Sequence, residues 1–338
     1  MRLSLFARAL SCFPMVTSGC GKSEAPAPAA SAAPATSTVD SDQTAPATTC
    51  AGARRQFVTR IVRVARSWND SPPPEPPDGK LVRTKYRAPL GEMWAYVTPD
   101  PGDGKRHPAM VWVHGGLDFS IGDLVFEHGP RDNDQSARGF VDAGLIVMFP
   151  SFRGNHDNPG SYEMLHGEVD DYLAAVEHVR GLPYVDPERV YLGGHSTGGT
   201  LVLLAAELSD RYRAAFALGP VGWIQVYDEP PPFDPRAPEA ETEWRMRSPA
   251  ACIGEIRRPT LIIEGEDGNA DQVRALGDTA RRAGAPVHAS VLAGRNHFNV
   301  IAPAVARIAE QIKADTGREW GENELAGLAE QIKASFRP

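Results

Sequence analysis

The chain has 338 residues, 42% of them hydrophobic and 23% charged, which fits one large domain with a sizeable core, or two small ones. With 35 basic against 43 acidic side chains the formal net charge is -8, and no long run of like charge occurs. That balance excludes nucleic acid as a partner, because phosphate binding needs a basic face. Past the N-terminus nothing approaches the roughly 18 consecutive apolar residues that span a bilayer, so the body of the protein is expected to be soluble.

In chain order, Arg2 and Arg8 flank a short apolar stretch that continues as ALSCFPMV and ends in Thr17-Ser18-Gly19 before Cys20. Residues 1–19 resemble a bacterial lipoprotein signal peptide, after which Cys20 is lipidated and becomes the new N-terminus. An ordinary signal peptide cut elsewhere, with Cys20 incidental, is the alternative. Residues 20–49 are dominated by Ala, Pro, Ser and Thr. Such a segment buries too little apolar surface to offset its ordering entropy, and a disordered tether is expected. The protein is therefore expected to be exported, periplasmic or at the cell surface, and held at a membrane through its lipid anchor only.

Cys12 leaves with the signal peptide, so Cys50 and Cys252 remain. In an oxidising compartment they either pair, pinning the N-terminal arm to the body, or stand as two unrelated thiols. No CxxC and no His-Cys cluster with zinc spacing is present, so no structural metal is expected.

Residues 50–338 read as a single domain. Residues 52–66 predict a short amphipathic helix, and SPPPEPPDG a loop. Lys80–Arg87 and Glu92–Thr98, joined by a Pro-Leu-Gly turn, predict a hairpin. Strands are then expected at Ala109–His114, Leu145–Phe149, Val190–Gly193, Ala214–Leu218, Thr260–Glu264 and Val287–Leu292. Helices are expected at Gln135–Ala143, Glu168–Arg180, Gly198–Leu208, Asp271–Ala283 and Ile301–Ala314; in the second of these Val169, Leu173, Val176 and Val179 recur at helical spacing. Alternation of this kind predicts an α/β fold: a mostly parallel twisted sheet with helices on both faces and an N-terminal antiparallel hairpin. The segment at about 220–258, rich in Pro and Trp, interrupts the alternation and predicts a cap or substrate loop. IAEQIKA at 308–314 recurs as LAEQIKA at 328–334; two copies make no solenoid, and the second reads as an extra surface helix.

The strongest chemical signal is VYLGGHSTGGTLVLLAAE, residues 190–207, which carries Gly194-His195-Ser196-Thr197-Gly198 between a predicted strand and a predicted helix. A serine on so sharp a strand-to-helix turn is exposed as a nucleophile, and the N–H of the next residue, Thr197, points to an oxyanion site. Upstream, VWVHGG at 111–116 places Gly115 and Gly116 where their backbone N–H groups add to the same oxyanion hole. His297 follows the last predicted strand, where the general base belongs; His195 is too close to the turn, and His288 falls within a strand. The acid belongs between them in chain order, and LIIEGEDGNADQV at 261–273 offers Glu264, Glu266, Asp267 and Asp271. Asp267, just past the strand end, is the choice; Asp271 is its rival, with helix N-capping as its other reading.

From about residue 80 to 315 the chain resembles the catalytic domain of prolyl oligopeptidase-type serine hydrolases of the α/β-hydrolase superfamily, related to dienelactone hydrolase. The residues that carry the likeness are His114-Gly115-Gly116, PSFRG at 150–154, VDPERVYLGGHSTGG at 185–199, SPAACIGEIRRPTLIIEGED at 248–267 and GRNHF at 294–298. The resemblance implies a triad of Ser196, an Asp near 267, and His297, with no cofactor. Two departures stand out. Glu264 replaces the His of the family's His-Gly-x-x-Asp segment, with altered spacing of the Asp. Only about 30 residues separate the tether from the first hairpin, too few for the β-propeller of the large oligopeptidases.

The reading that follows is an exported serine hydrolase that cleaves a carboxylic ester or an amide through an acyl-enzyme, on a small-molecule ester or short peptide. A prolyl oligopeptidase-like peptidase acting on short peptides is the enzymatic alternative. A hydrolase-fold lipoprotein that binds without turnover is the non-enzymatic one.

Overall fold

The computed structural model describes residues 49–64, 69–317 and 320–336. The expected signal peptide, the expected lipidation site Cys20 and the expected tether up to residue 48 lie outside the described residues. By its contacts the chain divides into Met1–Gln43 and Thr44–Pro338, and every described residue belongs to the second unit.

Eight strands form one sheet: β1 (Val82–Ala88), β2 (Gly91–Val97), β3 (His107–Val113), β4 (Ile146–Pro150), β5 (Val185–His195), β6 (Ala215–Leu218), β7 (Thr260–Gly265) and β8 (Val287–Leu292). Their order across the sheet is β1-β2-β4-β3-β5-β6-β7-β8. β1 and β2 form the expected hairpin, β2 meets β4 antiparallel, and every later pairing is parallel. This is the α/β-hydrolase arrangement. Buried parallel strands need apolar residues on both faces, and β3 shows it: Ala109, Val111 and Val113 enter one core while Met110 and Trp112 enter the other. The first core is covered by α3 (Gly167–Arg180), α4 (Thr197–Leu208) and α6 (Ala270–Ala283), and the second by α2 (Arg138–Asp142), α7 (Ile301–Ala314) and α8 (Glu322–Ala334). The repeated C-terminal motif is more than a surface addition. Leu325, Leu328 and Ile332 of α8 are buried in the same core as Ile308 and Ile312 of α7.

The interruption after β6 contains one short helix, α5 (Ala240–Met246), among 3-10 turns. The N-terminal arm lies against it. Its helix α1 (Cys50–Gln56) is shorter than expected, because Phe57 is extended and closes the last turn with its N–H on Ala53 O. Val58, Thr59, Ile61 and Val62 are β-branched and favour extended backbone, and the Val62 N–H donates to Pro232 O at 2.8 Å. Cys50 and Cys252 are disulfide-bonded across 202 residues of sequence, so of the two readings of these cysteines the pairing is the one the fold contains.

Beneath the arm lies a turn, residues 163–168, with Met164 and Leu165 both left-handed at φ 57° and 69°. Arg54 donates to the carbonyl of His166, and the Glu163 N–H donates to Glu168 Oε1 at 2.7 Å. Burial raises the Glu168 carboxyl from 4.5 to about 7, with the Arg153 charge opposing the shift in part.

Two predictions follow from this packing. Replacing Cys50 and Cys252 together by Ser is expected to lower the unfolding free energy by about 2–5 kcal/mol, measured by urea titration under non-reducing conditions. For Glu168 the folded pKa is above the unfolded one, so the penalty is absent below pH about 4.5 and grows as pH rises through about 7. Glu168→Gln is therefore expected to stabilise the protein by about 1–3 kcal/mol at pH 8 and hardly at all at pH 4.5, in paired urea titrations.

Candidate active site

The C-terminal ends of β3, β5, β6 and β7 converge on Ser196. β5 ends at His195 and α4 starts at Thr197, which leaves Ser196 alone at the corner with φ 56° and ψ -118°. A non-glycine residue in this region is strained and persists only where its surroundings hold it. Here the Ser196 N–H donates to Leu218 O at the end of β6, 2.7 Å away, and its carbonyl accepts from the Thr200 N–H at 2.9 Å. The turn is so tight that a Cβ on Gly198 would collide with the carbonyls of Val113 and His114.

The expected oxyanion loop abuts this corner. A Cβ on Gly115 would stand 3.1 Å from Ser196 Cβ, and Thr197 Oγ1 donates to Gly116 O at 2.6 Å. His114 is buried, with Nδ1 2.6 Å from Gly115 O and Nε2 2.7 Å from Ser120 O. In a trans peptide the C=O and the following N–H point opposite ways. Holding the Gly115 carbonyl on the His114 ring therefore also sets the direction of the Gly116 N–H. Thr197 opens α4, so its N–H is among those without an acceptor inside the helix.

His297 lies in the loop between β8 and α7, and its Nδ1 is 2.8 Å from a carboxylate oxygen. That oxygen is Oε2 of Glu264, not a carboxylate oxygen of Asp267. Glu264 is fully buried near the end of β7 and also accepts from the N–H groups of Gly265 (2.6 Å) and Asn269 (2.8 Å). Asn269 precedes α6, so the carboxylate sits where a helix N-terminus favours negative charge. Asp267 is exposed, and among the described residues only its backbone is engaged, with its N–H on Arg295 O at 2.9 Å. Asp271 is exposed too and meets Arg274 at 2.9 Å. The physical reason is reach. A Glu side chain starting inside the strand spans the distance that an Asp would cover from the loop, and the turn at 265–268 then carries Asp267 out to solvent. The signal was available as one charged residue within the otherwise apolar LIIE run. Gly219 makes room for the pair: it is left-handed at φ 63°, and a Cβ there would lie 2.6 Å from His297 Cε1 and 3.0 Å from Glu264 Oε2.

His297 Nε2 and Ser196 Oγ have no hydrogen-bond partner among the described residues, and such contacts commonly tighten only when substrate binds. Beside the loop a cavity of about 280 Å³ opens, lined among others by Leu117, Asp118, Tyr162, Met164 and Glu229. The aromatic residues of 223–233 contribute little to it. Phe233 packs edge-on against Trp244 at 4.8 Å under the Arg247 guanidinium, and Tyr227 is tied to Thr200 Oγ1 at 2.7 Å.

Residues 133–314, more than half of the chain, match the prolyl oligopeptidase family. The chain belongs to this family of serine hydrolases. Among its relatives, dipeptidyl-peptidase 5 of Porphyromonas gingivalis is 25% identical over 230 residues, covering 61% of this chain and 32% of that one. The uncharacterized peptidase YtmA of Bacillus subtilis is 26% identical over 141 residues, 38% of this chain and 53% of its own. The chain thus spans about a third and about half of these two relatives. Solved structures agree on the fold: puromycin hydrolase, with TM-score 0.57, 18% identity and coverage of 72% of this chain and 41% of that one, and an esterase of Pyrobaculum calidifontis, with TM-score 0.52, 21% identity and coverage of 70% and 86%. The family match takes in Ser196, Glu264 and His297, while the His114-Gly115-Gly116 loop lies upstream of it.

If Glu264 orients His297, Glu264→Gln lowers kcat on a p-nitrophenyl ester by about 100-fold to 10,000-fold. Asp267→Ala and Asp271→Ala stay within about threefold of the parent, since a surface carboxylate away from the site contributes little. Steady-state kinetics of the three variants check the assignment.

Proposed function

We propose that the protein hydrolyses carboxylic esters or short amides through an acyl-enzyme formed on Ser196. The observation that carries this reading is the strained Ser196 corner set beside the buried His297–Glu264 pair. Ser196 Oγ attacks the substrate carbonyl carbon while His297 Nε2 takes its proton. Glu264 holds the Nδ1–H and stabilises the imidazolium that forms. The N–H groups of Thr197 and of Gly115 or Gly116 receive the oxyanion. The proton returns to the leaving alcohol or amine, and water, activated by the same imidazole, releases the acid.

Family membership favours peptide bonds as a second reading, and the peptidase relatives support it. An exported location, with lipid on Cys20 and attachment to a membrane, completes the proposal. The disulfide supports the export, because such bonds persist in oxidising compartments.

The test is fluorophosphonate labelling of the full chain with peptide mapping, beside Ser196→Ala, and turnover on p-nitrophenyl esters and aminoacyl-p-nitroanilides. Labelling at Ser196 that disappears in the variant is expected, with at least one substrate series turned over. A folded protein that neither labels nor turns over any substrate would overturn the reading in favour of a binding protein.

A further inference from the structure

His195, the residue before the nucleophile, has no part in the proton transfers above, yet it is buried and its ring touches both halves of the site. Its Nε2 lies 3.0 Å from the backbone carbonyl of His297. A carbonyl only accepts, so Nε2 carries the hydrogen and donates. The two rings are 4.6 Å apart between centroids at 43°, and the Phe298 ring lies 5.8 Å from His195 on the same loop. The other nitrogen, Nδ1, is buried without a hydrogen-bond partner among the described residues and lies 3.0 Å from where a Gly115 Cβ would be. The ring is therefore wedged between the loop that carries the base and the loop that carries the oxyanion donors.

From this we infer that His195 is a positioning residue: its Nε2–H···O=C bond fixes the backbone of His297, and thus the place from which the imidazole reaches Ser196. The inference rests on the triad reading above. The donor is available at all working pH values. Burial, aided by the neighbouring His297, pushes His195 down to about 3, so the ring stays neutral with its single hydrogen on Nε2. Backbone anchoring matters here because His297 hangs on a loop, β8 having ended at Leu292. Displacement of a reacting group by about 1 Å costs on the order of 100-fold in rate.

The experiment compares His195→Leu, which fills the space without a donor, with His195→Gln, whose amide N–H reaches as far as Nε2, and His195→Asn, which is one bond shorter. The parent, these variants and Ser196→Ala are assayed on the same p-nitrophenyl ester, with thermal unfolding of each. The Leu variant is expected to lose about 10-fold to 100-fold in kcat with KM within about twofold, and the Gln variant to return to within about threefold of the parent. Equal kcat for Leu and Gln, or a loss confined to KM, overturns the positioning role. Should the Leu variant fail to fold, Asn against Gln decides: a lower kcat for Asn supports the role, and equal values overturn it. Turnover that survives in Ser196→Ala would instead defeat the triad reading, so the two failures are distinguishable.

Discussion

The carboxyl edge of the sheet is organised around one backbone conformation, Ser196 at φ 56° and ψ -118°. A serine does not occupy that region unaided. Three constraints hold it there: the hydrogen bond to Leu218 on the neighbouring strand, the immediate start of α4, and the close approach of Gly198 to the end of β3. Each depends on the parallel order β3-β5-β6, which brings the ends of these strands to one edge. The strained corner and the meeting of the Gly115-Gly116 loop with the His297 loop are consequences of that strand order rather than separate inventions.

The carboxylate that meets His297 follows the same logic. The Gly219 N–H donates to Ile263 O, which ties the loop after β6 to β7 just before Glu264. A carboxylate emerging inside a buried strand would be costly unless every oxygen were satisfied. Glu264 meets that requirement with two backbone N–H donors and His297 Nδ1. The same backbone donors that make its burial tolerable also hold it as an acceptor for the imidazole.

Around this centre the chain carries a second buried ionic group with a structural role. Arg153 forms a fork with Asp171, its Nε and Nη2 each 2.8 Å from one carboxylate oxygen, and also meets Glu163 at 2.6 Å. The guanidinium occupies the space that a side chain at Gly167 would need. PSFRG thus contributes a brace between the loop after β4 and helix α3. The N-terminal arm reaches the neighbouring turn through Arg54, which donates to the His166 carbonyl, and its disulfide fastens it to the segment after β6. No propeller domain lies among the described residues, and the face beside the Gly115-Gly116 loop is bordered instead by the arm and the segment after β6.

Much of this was legible in the residues themselves. Apolar runs four to seven residues long, alternating with helical periodicity, determined a parallel sheet with covered faces, since no other packing buries such strands on both sides. GGHSTGG placed Ser196 at the corner between a strand and a helix, and HGG and GRNHF marked the loops around it. Local pattern failed where the outcome depended on reach. Whether Glu264, Asp267 or Asp271 meets His297 is a question of side-chain length and turn geometry across two loops; sequence proximity to the strand end favoured Asp267, whereas the folded chain pairs His297 with Glu264. Likewise nothing local showed that Cys50 lies beside Cys252, that the arm leaves its helix at Phe57 to run along Pro232, or that His195 grips the His297 backbone. Those contacts join residues about 100 to 200 positions apart. Periodicity and turn chemistry act over a few residues and are written in the chain; contacts between distant loops exist only once the sheet has brought its strand ends together.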